Sequence, residues 1–171
     1  MSKLAALAVS VGVLAVVATW IFFLPQSKAW NLQVWTAFIA WGCHFQSGGK
    51  FKGSRAAVVC MSFGAVVGMA AVLLAGKLGM LGQFAAPIAV GVGATVIVLA
   101  SKVPWLETIP ASVYGFAAIA GLILVGKVPA TQAILPTVIS IVIGALFGIA
   151  SEVVANALTK KEAPAAAGAA A

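Results

Sequence analysis

Two stretches of the chain read alike: Ser62-Phe-Gly-Ala-Val-Val-Gly-Met-Ala-Ala-Val-Leu-Leu-Ala75 and Val142-Ile-Gly-Ala-Leu-Phe-Gly-Ile-Ala-Ser-Glu-Val-Val-Ala155. Both are nearly continuous apolar runs, and each contains two glycines four positions apart. Glycines at this spacing share one face of a helix and let another backbone approach closely. We therefore expect helix packing at Gly64, Gly68, Gly144 and Gly148.

Shorter matches occur in the same order at a similar offset. Ala8–Gly12 resembles Ala89–Gly93, and Gly49–Phe51 resembles Gly126–Val128. Ala, Gly and Val are common in this chain, so chance similarity is the alternative explanation. The matches predict an internal repeat with three apolar segments in each half, about 4–75 and 84–155. Because three crossings is an odd number, the second half would be inverted relative to the first, as in many transporters and channels.

The composition predicts an all-α membrane protein. Hydrophobic residues make up 63% of the 171 residues and charged residues 8%, far from the balance of a soluble domain. We expect a single transmembrane domain over residues 1–158 and a disordered, Ala-rich cytoplasmic tail over residues 159–171. Six transmembrane helical segments are predicted, at roughly 4–24, 32–46, 56–75, 84–100, 110–126 and 132–158.

The second and fifth segments are short and hold corresponding positions in the two halves. A helix needs about 20 apolar residues to cross about 30 Å of hydrocarbon. Paired short segments can mark a site near the membrane midplane, since irregular backbone is tolerated there beside a cavity or inside protein. Two alternatives stay open, because these segments could cross fully or be re-entrant.

The basic residues predict the orientation. With six crossings, the N-terminus and the even-numbered loops carry seven basic residues and the odd-numbered loops three. The positive-inside rule then places both termini in the cytoplasm. The basic residues form no patch with interleaved aromatics, so we expect contact with the lipid bilayer and no nucleic acid. The two sets are Lys3, Lys50, Lys52, Arg55, Lys102, Lys160 and Lys161, against Lys28, Lys77 and Lys127.

Two titratable residues are candidates for a substrate pathway. His44 is the only histidine, and it could relay protons or line a pore because imidazole titrates near neutral pH. Its alternative role is a hydrogen bond at the membrane surface. Glu152 is the only acidic residue inside an apolar run. Burying its charge is costly, which favours function, but Glu152 lies near a predicted surface where it could reach water.

The short segments supply the remaining candidates of the pathway. Their mixture of aromatic rings and hydroxyl groups suits a narrow conduit for a small neutral or weakly polar solute. It also suits ordinary aromatic belts at the membrane interface. These candidates are Trp35, Thr36, Trp41, Ser112 and Tyr114. If the short segments form the site, we expect Trp41 and Tyr114 to approach each other near mid-membrane, because an inverted repeat would make their depths equivalent.

Catalytic and metal-binding patterns are missing from the sequence. The three acidic residues are scattered, and the two cysteines, Cys43 and Cys60, form no metal-binding spacing. We expect no catalytic residue, no metal ligand and no cofactor, and thus no enzyme.

Aromatic, glycine and proline positions carry a family resemblance. The patterns are Trp35-x2-Phe38-x6-Phe45-x2-Gly48-Gly49-x3-Gly53 and Pro110-x-Ser112-x2-Gly115-Phe116-x-Ala118. They are similar to a family of small bacterial inner-membrane proteins, the domain of unknown function numbered 1097, over residues 4–158. The resemblance implies a multi-pass protein of the bacterial inner membrane, and it implies no activity and no role for His44 or Glu152.

These patterns favour a channel or transporter for a small-molecule solute. The alternative is a non-transporting scaffold, or an accessory subunit of a larger complex. A homo-oligomer is a candidate assembly in either case, because the glycine faces could also form a contact between subunits.

Overall fold

The computed structural model describes residues 1–159, and this part of the chain is helical without any strand. The expected tail falls on residues 160–171, apart from Thr159, and so lies outside the described residues. Seven helices follow one another: α1 (Lys3–Phe23), α2 (Pro25–Ala29), α3 (Val34–Gln46), α4 (Lys50–Lys77), α5 (Ala85–Ala100), α6 (Ile109–Leu124) and α7 (Ala130–Leu158).

Four helical stretches are long and apolar enough to cross a membrane. They are α1, α4, α7 and the stretch Gly79–Ala100, in which a 3-10 turn (Gly79–Phe84) precedes α5. The other two main helices are shorter, with 13 residues in α3 and 16 in α6. At 1.5 Å per residue these span only about 20 Å and about 24 Å. The apolar helices indicate a membrane protein.

The connection between the second and third apolar segments is shorter than the predicted bounds, 32–46 and 56–75, suggest. α4 already begins at Lys50, so Gly53 is helical. A π-helical turn, Ala56–Cys60, lies within α4 and joins its first turns to the long apolar part. The short helix α2 was not predicted. It begins with Pro25, whose missing amide hydrogen costs little in the first turn of a helix.

The two long helices α4 and α7 organise the packing. α4 packs against α5, α6 and α7, and α7 packs against α1, α3 and α4. Small side chains fill the core between them, so the helices approach closely. This core cluster contains Ala40, Cys43, Ala56, Ala57, Cys60, Met61, Ala111, Ile141 and Ala145.

Glycines lie where these helices cross. A Cβ atom added to Gly64 of α4 would overlap the backbone of Ser112 in α6, and one on Gly115 would overlap the backbone of Met61. On the other side, a Cβ atom on Gly144 of α7 would overlap the backbone of Ala37 in α3. Any larger residue at these positions must push two helices apart.

We expect Gly64→Leu and Gly144→Leu each to destabilise the folded protein by about 3 kcal/mol or more, because overpacking here meets backbone rather than a movable side chain. The matched control is Gly91→Leu. Gly91 lies in the middle of α5, and a Cβ atom added there would meet no atom of another helix within 4 Å. Unfolding in a detergent titration measures the difference. Equal stability of all three variants would contradict the role of these crossings.

Candidate functional site

Buried polar side chains concentrate where α3 packs against α7. Five of them belong to the contact between these two helices. Two more lie between α1 and α7, where the Ser10 hydroxyl donates to the Ser151 carbonyl at 2.9 Å. Polar groups that are shielded from water normally need partners inside the protein. The five are Gln33, Thr36, His44, Thr137 and Ser140.

One end of this interface is a closed hydrogen-bond network around Gln33. The backbone N–H of Gln33 donates to Ser140 Oγ at 2.9 Å. The side-chain Nε2 of Gln33 donates to Thr137 Oγ1 at 3.4 Å. Thr36 donates its hydroxyl to Gln33 Oε1 at 2.7 Å. This network ties the start of α3 to α7 and leaves these side chains partnered.

Trp41 lies further along the same interface. Its ring stacks on Phe147 of α7, with centroids 5.4 Å apart, and contacts Phe38 at 5.5 Å. The indole is buried, and Nε1 has no hydrogen-bond partner among the described residues. A buried N–H group without an acceptor lowers the stability of the folded protein by about 1–3 kcal/mol. Trp41 Nε1 is therefore a donor that a bound solute could use.

His44 and Glu152 meet at the other end of the interface. His44 is fully buried, and its Nε2 atom lies 3.4 Å from Glu152 Oε2. The same oxygen accepts the backbone N–H of Lys50, the first residue of α4, at 3.0 Å. Glu152 therefore caps α4 from another helix, where the positive end of the helix dipole favours a carboxylate.

Glycines make room for this pair. A Cβ atom on Gly148 would lie 2.6 Å from His44 Cγ, and one on Gly49 would overlap the Glu152 carboxylate. Gly48 and Gly49 adopt positive φ angles of 96° and 64°, and Lys50 follows with 50°. The left-handed turn aims the Lys50 N–H at the carboxylate, a conformation that glycine adopts freely and lysine does not.

Two open clefts lie at this end of the molecule. The first has a volume of about 300 Å³ and is lined by Glu152, Lys3, Leu7, Phe45, Lys50, Ala155, Asn156 and Thr159. The second, of about 590 Å³, is lined by Gln46, Ser47, Gly48, Lys52, Glu107, Thr108 and Pro110. The Glu152 side chain, 27% exposed, connects buried His44 with the first cleft.

The other candidates from the sequence lie apart from this pair. Trp35 is exposed, with Nε1 4.0 Å from the position of a Cβ atom on Gly121 of α6. Ser112 is buried at the α4–α6 crossing, and its hydroxyl has no partner among the described residues. Tyr114 packs, half-buried, against the small-residue core. The aromatic partners of Trp41 in residues 1–159 are Phe38 and Phe147, so the two rings expected to meet, Trp41 and Tyr114, form no such pair.

The sequence analysis did not predict several residues of this site, namely Gln33, Ser54, Thr137, Ser140 and the turn Gly49–Lys50. A signal for part of them exists. Thr137, Ser140, Gly144, Gly148 and Ser151 recur at spacings of three and four residues, which places small and polar groups on one face of α7. Residues 1–159 contain no cluster of three His, Cys, Asp or Glu side chains that could hold a metal ion.

Comparison with known proteins supplies a family and no function. No curated protein and no solved structure matches the chain. A family model described as "Protein of unknown function (DUF1097)" matches residues 8–156, which is most of the chain. The chain belongs to the DUF1097 family.

Proposed function

We propose that this protein is a transporter of a small solute, rather than an enzyme, and that it consists of two inverted three-helix halves. Residues 4–75 contain α1, α3 and the apolar part of α4, and residues 84–155 contain α5, α6 and most of α7. The helix contacts keep their pattern when the halves are exchanged. α4 packs on α6 and α5, while α7 packs on α3 and α1.

The glycine crossings support the exchange at the level of single residues. Gly64 meets Ser112, and its counterpart Gly144 meets Ala37. One turn further, a Cβ atom on Gly68 would lie 2.7 Å from Ile119, and one on Gly148 would lie 2.6 Å from His44. Ser112 follows Ala37 in the sequence by the same number of positions as Ile119 follows His44. Ser112 therefore corresponds to Ala37, and Ile119 corresponds to His44.

The two long helices also share an irregularity. The π-helical turn of α4 begins at Ala56, and the corresponding residue of α7 is Pro136, which lies inside that helix. A π-helical turn and an internal proline both interrupt the regular ladder of backbone hydrogen bonds. Such interruptions at matching positions are typical of transporters built from inverted repeats.

The observation that carries the transport proposal is the unequal polarity of two equivalent interfaces. The α3–α7 interface holds Gln33, Thr36, Thr137, Ser140 and His44. At the α4–α6 interface the counterparts of Thr36, Thr137, Ser140 and His44 are Ala111, Ala57, Cys60 and Ile119. Polar residues remain at two other positions, because Gln33 corresponds to Thr108 and Ala37 to buried Ser112. The α4–α6 interface packs with Ile119 at the position of His44, so packing does not require an ionisable residue there. Ionisable residues inside a membrane most often mark a substrate or ion pathway.

The proposed path runs along α3 and α7, from Gln33 past Trp41 to His44. The helices touch at Ala37 and Gly144, so passage requires them to separate there, which favours an alternating transporter over an open channel. Hydroxyl, amide and indole donors suit a small neutral or weak-acid solute. In this proposal all six main segments cross the bacterial inner membrane, and α3 and α6 are the short central ones.

A non-transporting scaffold or accessory subunit is the second candidate function. The small side chains of Ala40, Cys43 and Ala111 fill the centre between α3 and α6, which favours a rigid support. Transport of a solute by the purified protein separates the two functions.

Solute flux in proteoliposomes tests the proposal. The full chain is reconstituted, and entry of glycerol, urea, acetate and lactate is followed by light scattering after osmotic mixing. We expect the protein to accelerate entry of one member of this panel above protein-free vesicles. Flux equal to that of protein-free vesicles for every member would favour the scaffold.

Trp41→Phe should lower this flux about fivefold, because one hydrogen bond to a passing solute contributes about 1 kcal/mol. The substitution keeps an aromatic ring beside Phe147 and removes the indole N–H together with part of the ring. Tyr114→Phe is the matched control, since it also removes one aromatic donor but lies against the small-residue core. Unchanged flux in Trp41→Phe would place the path elsewhere.

The proposed topology places both termini in the cytoplasm, because seven basic residues lie on that side and three on the other. A reporter active only in the cytoplasm should be active after Ala171 and inactive within Gly79–Phe84. Activity at both positions would exclude an inverted pair of three-crossing halves.

A further inference from the structure

We propose that His44 and Glu152 together form a proton-binding site that is filled from the cleft beside Lys3 and Lys50. The proton occupies the space between His44 Nε2 and Glu152 Oε2, which are 3.4 Å apart. The coupling of this proton to solute movement rests on the proposed transport function, whereas the site itself does not.

Ser54 determines which ring nitrogen of neutral His44 carries the hydrogen. Ser54 Oγ lies 3.2 Å from His44 Nδ1 and donates its one hydrogen to the Lys50 carbonyl, 2.9 Å away. A hydroxyl has a single hydrogen to donate, so when Ser54 donates to the nearer Lys50 carbonyl it accepts from the ring. We infer this arrangement from the shorter contact to the carbonyl, and it places the hydrogen of the neutral ring on Nδ1.

The assignment leaves Nε2 as an acceptor that faces another acceptor. His44 Nε2 is buried without a hydrogen-bond partner among the described residues. It faces Oε2 of the Glu152 carboxylate. Two lone pairs then face each other across 3.4 Å, which is unfavourable in a buried site. One added proton converts this arrangement into an Nε2–H donor beside a carboxylate acceptor.

Capping of α4 by Glu152 does not account for this geometry. The cap needs the carboxylate and the Lys50 N–H, and both would remain if residue 44 were apolar, as its counterpart Ile119 is. Gly148 gives up its side chain for the imidazole ring. Gly68 makes the same room for Ile119, so the glycine serves close packing. What packing and the cap leave unexplained is the unpartnered Nε2 of the ring.

The proton has a short route from water. The Glu152 side chain is 27% exposed and lines the cleft of about 300 Å³. A hydronium ion or buffer acid in the cleft gives its proton to the Glu152 carboxylate, which passes the proton to Nε2. The products are an imidazolium and a carboxylate, and release reverses both transfers. Lys3 of α1 and Lys50 of α4 are the other charged side chains lining this cleft, with uncharged Asn156 and Thr159 of α7.

The sole histidine makes the proton site directly observable. In the full chain, labelled with ¹⁵N-histidine in lipid nanodiscs, every imidazole signal comes from His44. We expect the neutral ring to carry its hydrogen on Nδ1 and to gain a second hydrogen on Nε2 when the sample is acidified. Ser54→Ala should move the hydrogen of the neutral ring to Nε2, where Glu152 accepts it.

Ser47→Ala is the matched control, because Ser47 contacts Cys43 instead of His44, and it should leave the hydrogen on Nδ1. A wild-type neutral ring with its hydrogen on Nε2 would overturn the proton site. So would a ring that stays neutral throughout the acidification.

A second experiment separates coupling from transport. Proteoliposomes loaded with the pH dye pyranine receive a gradient of glycerol, urea, acetate or lactate, and light scattering records solute entry in parallel. We expect the transported solute to shift the internal pH in the wild type beyond the shift in protein-free vesicles, in which undissociated acetic or lactic acid itself carries protons across the lipid. In Glu152→Gln the pH shift for each amount of solute that enters should fall, because the amide cannot take up the proton.

Glu107→Gln is the matched control, since Glu107 pairs with Arg55 outside the α3–α7 interface, and it should keep both signals. Solute entry without a pH shift in the wild type would overturn the coupling and leave transport standing. An unchanged pH shift for each amount of solute that enters in Glu152→Gln would contradict coupling through this carboxylate. Absence of entry for the whole panel would count against the transport proposal alone.

Discussion

Backbone contact at Gly64 and Gly144 is the constraint on which the rest of the structure depends. Hydrophobic burial gives little drive for association between helices in lipid, so packing must hold the helices together. α4 meets α6 at Gly64, and α7 meets α3 at Gly144. These crossings hold the two short helices against the two long ones. The close approach at Gly144 also brings His44 onto Gly148 one turn further on, so the site is a consequence of the packing.

The buried polar groups of the α3–α7 interface fall into two kinds, those with hydrogen-bond partners inside the protein and those without. Around Gln33, the backbone N–H and the side-chain oxygen and nitrogen all have partners inside the protein, which is the arrangement expected of a structural network. Trp41 Nε1 and His44 Nε2 are buried without hydrogen-bond partners in the described part of the chain. A native protein keeps such atoms unsatisfied at a cost, so these two atoms are where binding or proton transfer has most to gain.

The sequence predicted the helical class, the order of the main segments and the glycine positions, because these depend on local composition and spacing. His44 and Glu152 were both named as candidates, yet nothing local joined them. More than a hundred residues separate them, and only the turn Gly48–Lys50 and the crossing of α3 with α7 bring them together. The equivalence assumed between Trp41 and Tyr114 failed for a related reason. In the proposed repeat, corresponding positions in the short helices follow the glycine contacts, which pair Trp41 with Phe116.

The proton site also indicates which state of the pair would loosen the packing. With the proton on Nε2, Glu152 stays ionised, Lys50 keeps its acceptor, and the pair gains one charge-assisted hydrogen bond between α3 and α7. Without the proton, two lone pairs face each other at the point where His44 rests on Gly148. Protonation therefore strengthens the contact between the helices, and release weakens it. A ligand shifts a conformational equilibrium only through its different affinity for the two states. In the proposed transporter, the state in which α3 and α7 separate is therefore the deprotonated one. Loss of the proton to the cleft then favours opening of the polar path beside Trp41.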